Sequence, residues 1–318
     1  MSLLSKALLA VFLFVNCNTH LAQSTLNSPS PAPVSLTVTV TNEHGEMVSG
    51  LPQNAFTISD DGGIREIISF NNEDAPLSIV ILLDLSGSVK TDRHPHKIKY
   101  ILDGLTQFIQ KSHPANEYFI IGHDTRLYLL LDGARDANAA LSTLQKLSSK
   151  DLSGNTAFYD ACLFGIEKIA QAAYPKQVML LITDGRDNSS QYKLSDVRRL
   201  LKEKNVLVYS LDISLGLDTS GIYDWNSEGP QVLEELASLT GGKMHSPGNQ
   251  TEIKTRLERI ASELRQQYVI KFLPTTDASK SKWHPLKIRV SLPTSGSHGK
   301  QKLSARTRKG YYSTPSSP

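Results

Sequence analysis

From Val34 the chain alternates apolar and polar residues, Val34-Ser-Leu-Thr-Val-Thr-Val-Thr, the period of a half-buried strand. Ala55-Phe-Thr-Ile-Ser and Ile64-Arg-Glu-Ile-Ile-Ser-Phe predict two more strands, set off by turns at Asn42-Glu-His-Gly-Glu and Asp60-Asp-Gly-Gly. This β-only stretch, 34–76, is too small to bury its own apolar face. At Leu77 the pattern switches. Leu77-Ser-Ile-Val-Ile-Leu-Leu is continuously apolar, as in a strand covered on both faces of a parallel sheet. Further runs at Tyr118–Gly122, Leu127–Leu131, Val178–Ile182 and Val206–Leu211 read as strands. Helical periodicity covers His96–Ser112, Asp136–Leu147, Ala157–Ala173, Leu194–Lys204, Gln231–Leu239 and Glu252–Gln267. Strands alternating with helices predict a doubly wound, mostly parallel α/β domain over 77–267. Alternation returns in Tyr268–Leu273, Leu286–Leu292 and Lys302–Arg306, with prolines 274, 285 and 293 at strand ends. The economical reading is one small β-sandwich of about six strands built from 34–76 and 268–312, with the α/β domain inserted in it and 313–318 as a tail.

The N-terminus has a different character. One lysine, Lys6, precedes the apolar run Ala7–Val15, and a polar stretch ends at Ala22. That is the layout of a secretory signal peptide, 1–22, too short to span a bilayer. Residues 23–33, rich in Pro and Ser, read as a linker. A lipoprotein variant anchored at Cys17 is disfavoured by Asn16 before it. The chain is therefore expected to be secreted, periplasmic or in the cell envelope, and no later segment is long and apolar enough for an integral membrane span. Past Ala22 only Cys162 remains, inside an apolar helical pattern. It reads as a small buried hydrophobe without a disulfide partner.

Composition supports a packed core, with 39% hydrophobic and 20% charged residues. The formal net charge is 34 − 31 = +3. The basic residues form no dense stripe, which argues against nucleic acid as a partner. The tail cations Lys300, Lys302, Arg306, Arg308 and Lys309 mostly alternate with small or apolar residues and read as the solvent face of an edge strand.

Binding sites of open α/β sheets lie at the carboxyl ends of the strands. Three polar clusters fall there or in nearby loops: Asp84-Leu85-Ser86-Gly87-Ser88, Ser153-Gly154-Asn155-Thr156-Ala157 and Thr183-Asp184-Gly185. All carry short oxygen side chains, and none has His or Cys at metal-ligand spacing. That argues against zinc or copper. Hard oxygen donors with few carboxylates suit Mg2+, with Mn2+ or Ca2+ as alternatives. Hydroxyls in place of carboxylates leave such an ion under-neutralised, so an acidic group of a protein or peptide partner can complete its shell.

Asp-x-Ser-x-Ser after an apolar strand, Gly-Asn-Thr-Ala opening a helix and Thr-Asp-Gly after a later strand resemble the von Willebrand factor type A domain and its metal-ion-dependent adhesion site. The resemblance implies that Ser86, Ser88 and Thr156 bind the ion directly and that Asp84 and Asp184 act mainly through water. Gly87, Asn155 and Gly185 are then expected at the ligand-binding rim. The flanks, with Gly50-Leu-Pro-Gln-Asn-Ala-Phe, Leu264-Arg-Gln-Gln-Tyr and Arg308-Lys-Gly-Tyr-Tyr, are similar to those of a bacterial group of VWFA-related proteins. Two places depart from the pattern: Gly122-His123-Asp124-Thr125, where a Phe is common, and an extra loop over 216–230.

The expected function is thus metal-dependent binding, in adhesion or complex assembly, rather than catalysis. A metal-dependent hydrolase or phosphatase using the same oxygens, or a non-binding scaffold, are the alternatives. A phosphatase of the haloacid-dehalogenase type needs a second Asp where Ser86 stands. No Gly-x-Ser-x-Gly or Walker motif is present. His94, His96, His113 and His123 read as solvated surface residues, Asp187 as a loop acid, and Glu234-Glu235 as a solvated helix face.

Overall fold

The computed structural model describes residues 32–89, 96–148, 152–215, 228–274, 282–292 and 302–312. The expected signal peptide and tail, and most of the linker and of the extra loop, lie outside them, as do His94 and Lys300. The flank strands are β1 (Val34–Thr41), β2 (Phe56–Asp60), β3 (Gly63–Arg65) and β4 (Ile67–Asn71). The middle runs β5 (Ser78–Asp84), α1 (Lys97–Lys111), β6 (Glu117–His123), β7 (Leu127–Ala134), α2 (Ala137–Gln145), α3 (Phe158–Ile169), β8 (Gln177–Thr183), α4 (Leu194–Glu203), β9 (Val206–Asp212), α5 (Glu228–Thr240), β10 (Met244–His245) and α6 (Glu252–Leu264). The chain closes with β11 (Tyr268–Phe272), β12 (Trp283–Val290), β13 (Ser304–Arg306) and β14 (Gly310–Tyr312).

The middle strands form a six-stranded sheet in the order β10-β9-β8-β5-β6-β7, parallel except for the antiparallel edge strand β7. Side chains of β5 alternate between two layers. Ile79, Ile81 and Leu83 join the core under α1, α2 and α6, whereas Val80 and Leu82 join the core under α3, α4 and α5. Burial on both faces explains why β5, β8 and β9 read as unbroken apolar runs. The strand order reverses between β5 and β8, which opens a crevice at their carboxyl ends.

The flanks build two four-stranded antiparallel sheets, β13-β1-β11-β4 and β14-β12-β2-β3, each mixing N- and C-terminal strands. They enclose a shared core of Leu36, Val38, Phe56, Ile58, Tyr268, Ile270 and Phe272. The inserted architecture is as expected; the strand count is not. Ile64–Phe70, read as one strand, breaks at Glu66, and its halves pair in different sheets. Ile58 pairs with Arg65, and Phe70 with Ile270. Strands that turn a sandwich corner this way keep an apolar alternation on both sides of the break, so periodicity does not mark it.

The basic tail is also corrected. β13 is an edge strand, but Arg306 points inward to Glu263, Tyr209 and the Gly241 carbonyl. Arg308 is buried.

Candidate metal centre

β5 delivers Asp84 to the crevice with its carboxylate fully buried. One oxygen accepts the Ser86 backbone N–H at 2.9 Å, and the other accepts the Thr183 hydroxyl at 2.8 Å. The first bond folds the chain into a tight turn after the strand; the second ties β5 to the end of β8. The Ser86 and Ser88 hydroxyls consequently meet at 2.9 Å. Ser86 is buried while Gly87 and Ser88 are exposed, so this turn forms the mouth of the crevice.

The second loop is stitched onto the first. The Ser153 N–H donates to the Leu85 carbonyl at 2.9 Å, and the Gly87 N–H donates to the Gly154 carbonyl at 3.1 Å. Gly154 adopts a φ of +74°, which a side chain would strain. Thr156 is buried just ahead of α3. Its N–H donates to Asn188 Oδ1 at 2.8 Å, and its carbonyl accepts from the N–H groups of Asn188 and Ser189. Asn155 is exposed beside it.

Asp184 follows β8 directly and is half-buried. The Arg186 N–H donates to its Oδ1 at 3.1 Å. Desolvation and the Asp84 charge raise its pKa, a repulsion that a cation between them would relieve. Gly185, expected at the rim, is instead buried. A Cβ there would meet the Gly229 carbonyl oxygen at 2.4 Å, so α5 closes over it.

Asp84, Ser86 and Ser88 thus share one turn, the loop ahead of Thr156 is bonded to that turn, and Asp184 follows the strand end tied to Asp84. The donor set of three hydroxyls and two mutually repelling carboxylates fits a divalent hard cation.

Sequence reasoning misread two further side chains. His123, read as a surface residue, is fully buried at the end of β6, in register with Asp84. Its ring lies 6.2 Å from Phe158, neither ring nitrogen has a hydrogen-bond partner among the described residues, and desolvation lowers its pKa. The apolar run of β6 continues one residue past the point where its sequence turns polar. Asp187 is more than a loop acid: it accepts the Tyr159 N–H at 3.1 Å and the Ser190 hydroxyl, pinning the start of α3 behind Thr156. Sequence reasoning also missed Thr183 as an Asp84 partner, and Lys97. Cys162 is fully buried and burial pushes its thiol well up, as its apolar setting predicts. Glu235 lies on a part-exposed face and takes both ends of the Arg198 guanidinium at 2.6 Å.

A second cluster lies in the sandwich, where ligand atoms of Asp60, Asp61 and His284 fall within 4.8 Å of one another. Arg65 donates to Asp60 at 3.1 Å and Tyr311 at 3.2 Å, so this carboxylate already has internal donors.

The family model for the von Willebrand factor type A domain matches residues 78–272. No curated protein matches the chain. Among solved structures, a von Willebrand factor type A protein from Catenulispora acidiphila is 12% identical, with a TM-score of 0.50, over 89% of this chain and 75% of that one. An aerotolerance-related membrane protein from Bacteroides fragilis is 14% identical, with a TM-score of 0.46, over 59% of this chain and 99% of that one. BatB from Bacteroides thetaiotaomicron is 14% identical, with a TM-score of 0.47, over 59% and 98%. At such identities the Catenulispora likeness speaks to fold alone.

Proposed function

Because the chain belongs to the von Willebrand factor type A domain family, we propose that it is an exported protein-binding module that engages an acidic group of a partner through one divalent cation. The observation that carries this reading is the paired Ser86 and Ser88 hydroxyls, 2.9 Å apart, beside buried Asp84 at the sheet's reversal point. Ser86, Ser88 and Thr156 would hold the ion directly; Asp84 and Asp184 would act through water and balance its charge. Bound there, Mg2+ would supply one electrophilic position for a carboxylate. The chain's own part is to hold the Ser86 and Ser88 hydroxyls together beside the buried Asp84 carboxylate. Export rests on the N-terminal pattern. Among the described residues no helix is long and apolar enough to cross a membrane.

Binding is favoured over hydrolysis because Ser86 occupies the position where a phosphatase of the type weighed above carries its acid. Calorimetry with Mg2+ is the direct test. Wild-type protein is expected to bind one ion and Asp84→Ala to lose most of that affinity. Thr156→Ala is expected to stay folded and to weaken binding by about 1–3 kcal/mol, the usual worth of a contact to a charge. Partners captured from the cell envelope in Mg2+ should be released by a chelator. A wild-type protein that binds no Mg2+ at millimolar concentration would leave the scaffold reading.

A further inference from the structure

Three carboxylates lie at or just past the ends of the neighbouring strands β5, β8 and β9. Besides Asp84 and Asp184, Asp212 ends β9 with 1% exposure. Two basic side chains act on Asp184, the exposed Arg186 and, from within the fold, Lys97. Lys97, the first residue of α1, is 5% exposed. Its ammonium donates to the Ser88 carbonyl at 3.2 Å and to the Ile213 carbonyl at 3.3 Å. Those carbonyls belong to the hydroxyl-bearing turn and to the residue just after β9. The ammonium thus bridges the turn to the residue after β9; burial lowers its pKa, and the charges of Asp184, Asp84 and Asp212 act against that shift.

A fixed positive charge at this place has two consequences. It offsets the mutual repulsion of carboxylates that are removed from water. It also repels a second cation brought to the same carboxylates, and poorly hydrated surroundings strengthen that repulsion. We propose that Lys97 is the built-in counter-cation of the metal centre, holding the carboxylate cluster together while no ion is bound and moderating the affinity once one binds. The inference rests on the metal-binding reading above. It makes Lys97 a positioning residue, because it touches the turn and not the ion.

Lys97→Gln separates charge from tether, since the amide can still donate to the carbonyls. Lys97→Arg keeps the charge. Mg2+ affinity is measured by calorimetry, and melting temperature is measured in chelator and in Mg2+. Lys97→Gln is expected to bind Mg2+ at least about tenfold more tightly. It should also melt lower than wild type in chelator and recover most of that loss in Mg2+. Lys97→Arg should stay near wild type in both. If Lys97→Gln does not fold in chelator, Mg2+ should restore its circular dichroism, and failure to do so overturns the proposal. Unchanged or weaker Mg2+ affinity in Lys97→Gln also overturns it, leaving a simple carbonyl tether and an intact metal reading. Wild-type protein that binds no Mg2+ overturns the metal reading itself.

Discussion

At the edge of the six-stranded sheet, His245 is 5% exposed, and its Nε2 has no hydrogen-bond partner among the described residues. Burial, aided by the charges of Lys243, Arg259, Arg256 and Arg306, lowers its pKa to about 3. The unfolded chain takes up a proton on this ring near pH 6.5, the folded chain only near 3. Between those values the unfolded state binds more protons, so the stability contribution is full above about pH 6.5 and is lost as pH falls, by about 1.4 kcal/mol per unit. Urea unfolding at pH 7 and pH 5 should show His245→Gln losing about 2 kcal/mol less than wild type over that interval. Parallel losses in the two proteins would count against it. Nothing in Lys243-Met-His-Ser sets this histidine apart from an exposed one. Its burial comes from α5 and β9 packed around it, while the Arg259 and Arg256 charges come from α6.

At the scale of elements, helices and central strands follow the hydrophobic pattern closely, because each buries a stripe or a face of its own sequence. The ends of α4 need more. Arg308, far along the chain, is buried and donates to the Lys202 carbonyl at 2.8 Å, to Asn205 at 3.2 Å and to the Gly310 carbonyl. It thereby satisfies one of the last carbonyls of α4. Desolvation lowers its pKa to about 10, which still leaves it charged at neutral pH. Arg308→Met keeps most of the bulk and removes all three donors. It should cost about 2 kcal/mol in a urea titration, the loss of charge-assisted bonds partly offset by relief of a buried charge. A neutral result would mean that water replaces the guanidinium at this helix end.

Across the whole molecule, the sandwich is the part whose two halves depend on each other. β11 lies between β1 and β4, with Val34 opposite Phe272, Val38 opposite Tyr268 and Phe70 opposite Ile270. The halves are also complementary in charge. Residues 34–76 carry one Arg against seven Asp and Glu, and residues 268–312 carry ten Lys and Arg against one Asp. Ending the chain at Gln267 removes every partner strand of β1 and β4. Hydrogen exchange at Leu36, Val38 and Val40 should then speed up strongly. Unchanged protection would mean that 34–76 holds itself together.

The sequence by itself determined the alternation of strands and helices, the insertion of the α/β middle between β flanks, and the three oxygen clusters, two at strand ends and one in the loop before a helix. These are local properties: a period of two or 3.6, and short polar side chains where an apolar run stops. Only the tertiary structure decided the rest. The break at Glu66, the burial of His123, the inward turn of Arg306 and Arg308 and the approach of Lys97 to Ser88 and Ile213 depend on surfaces brought together from distant parts of the chain. A basic or polar side chain in an alternating stretch has the same sequence signature whether it faces water or a buried carbonyl. What distinguishes the two is the neighbour that packing supplies.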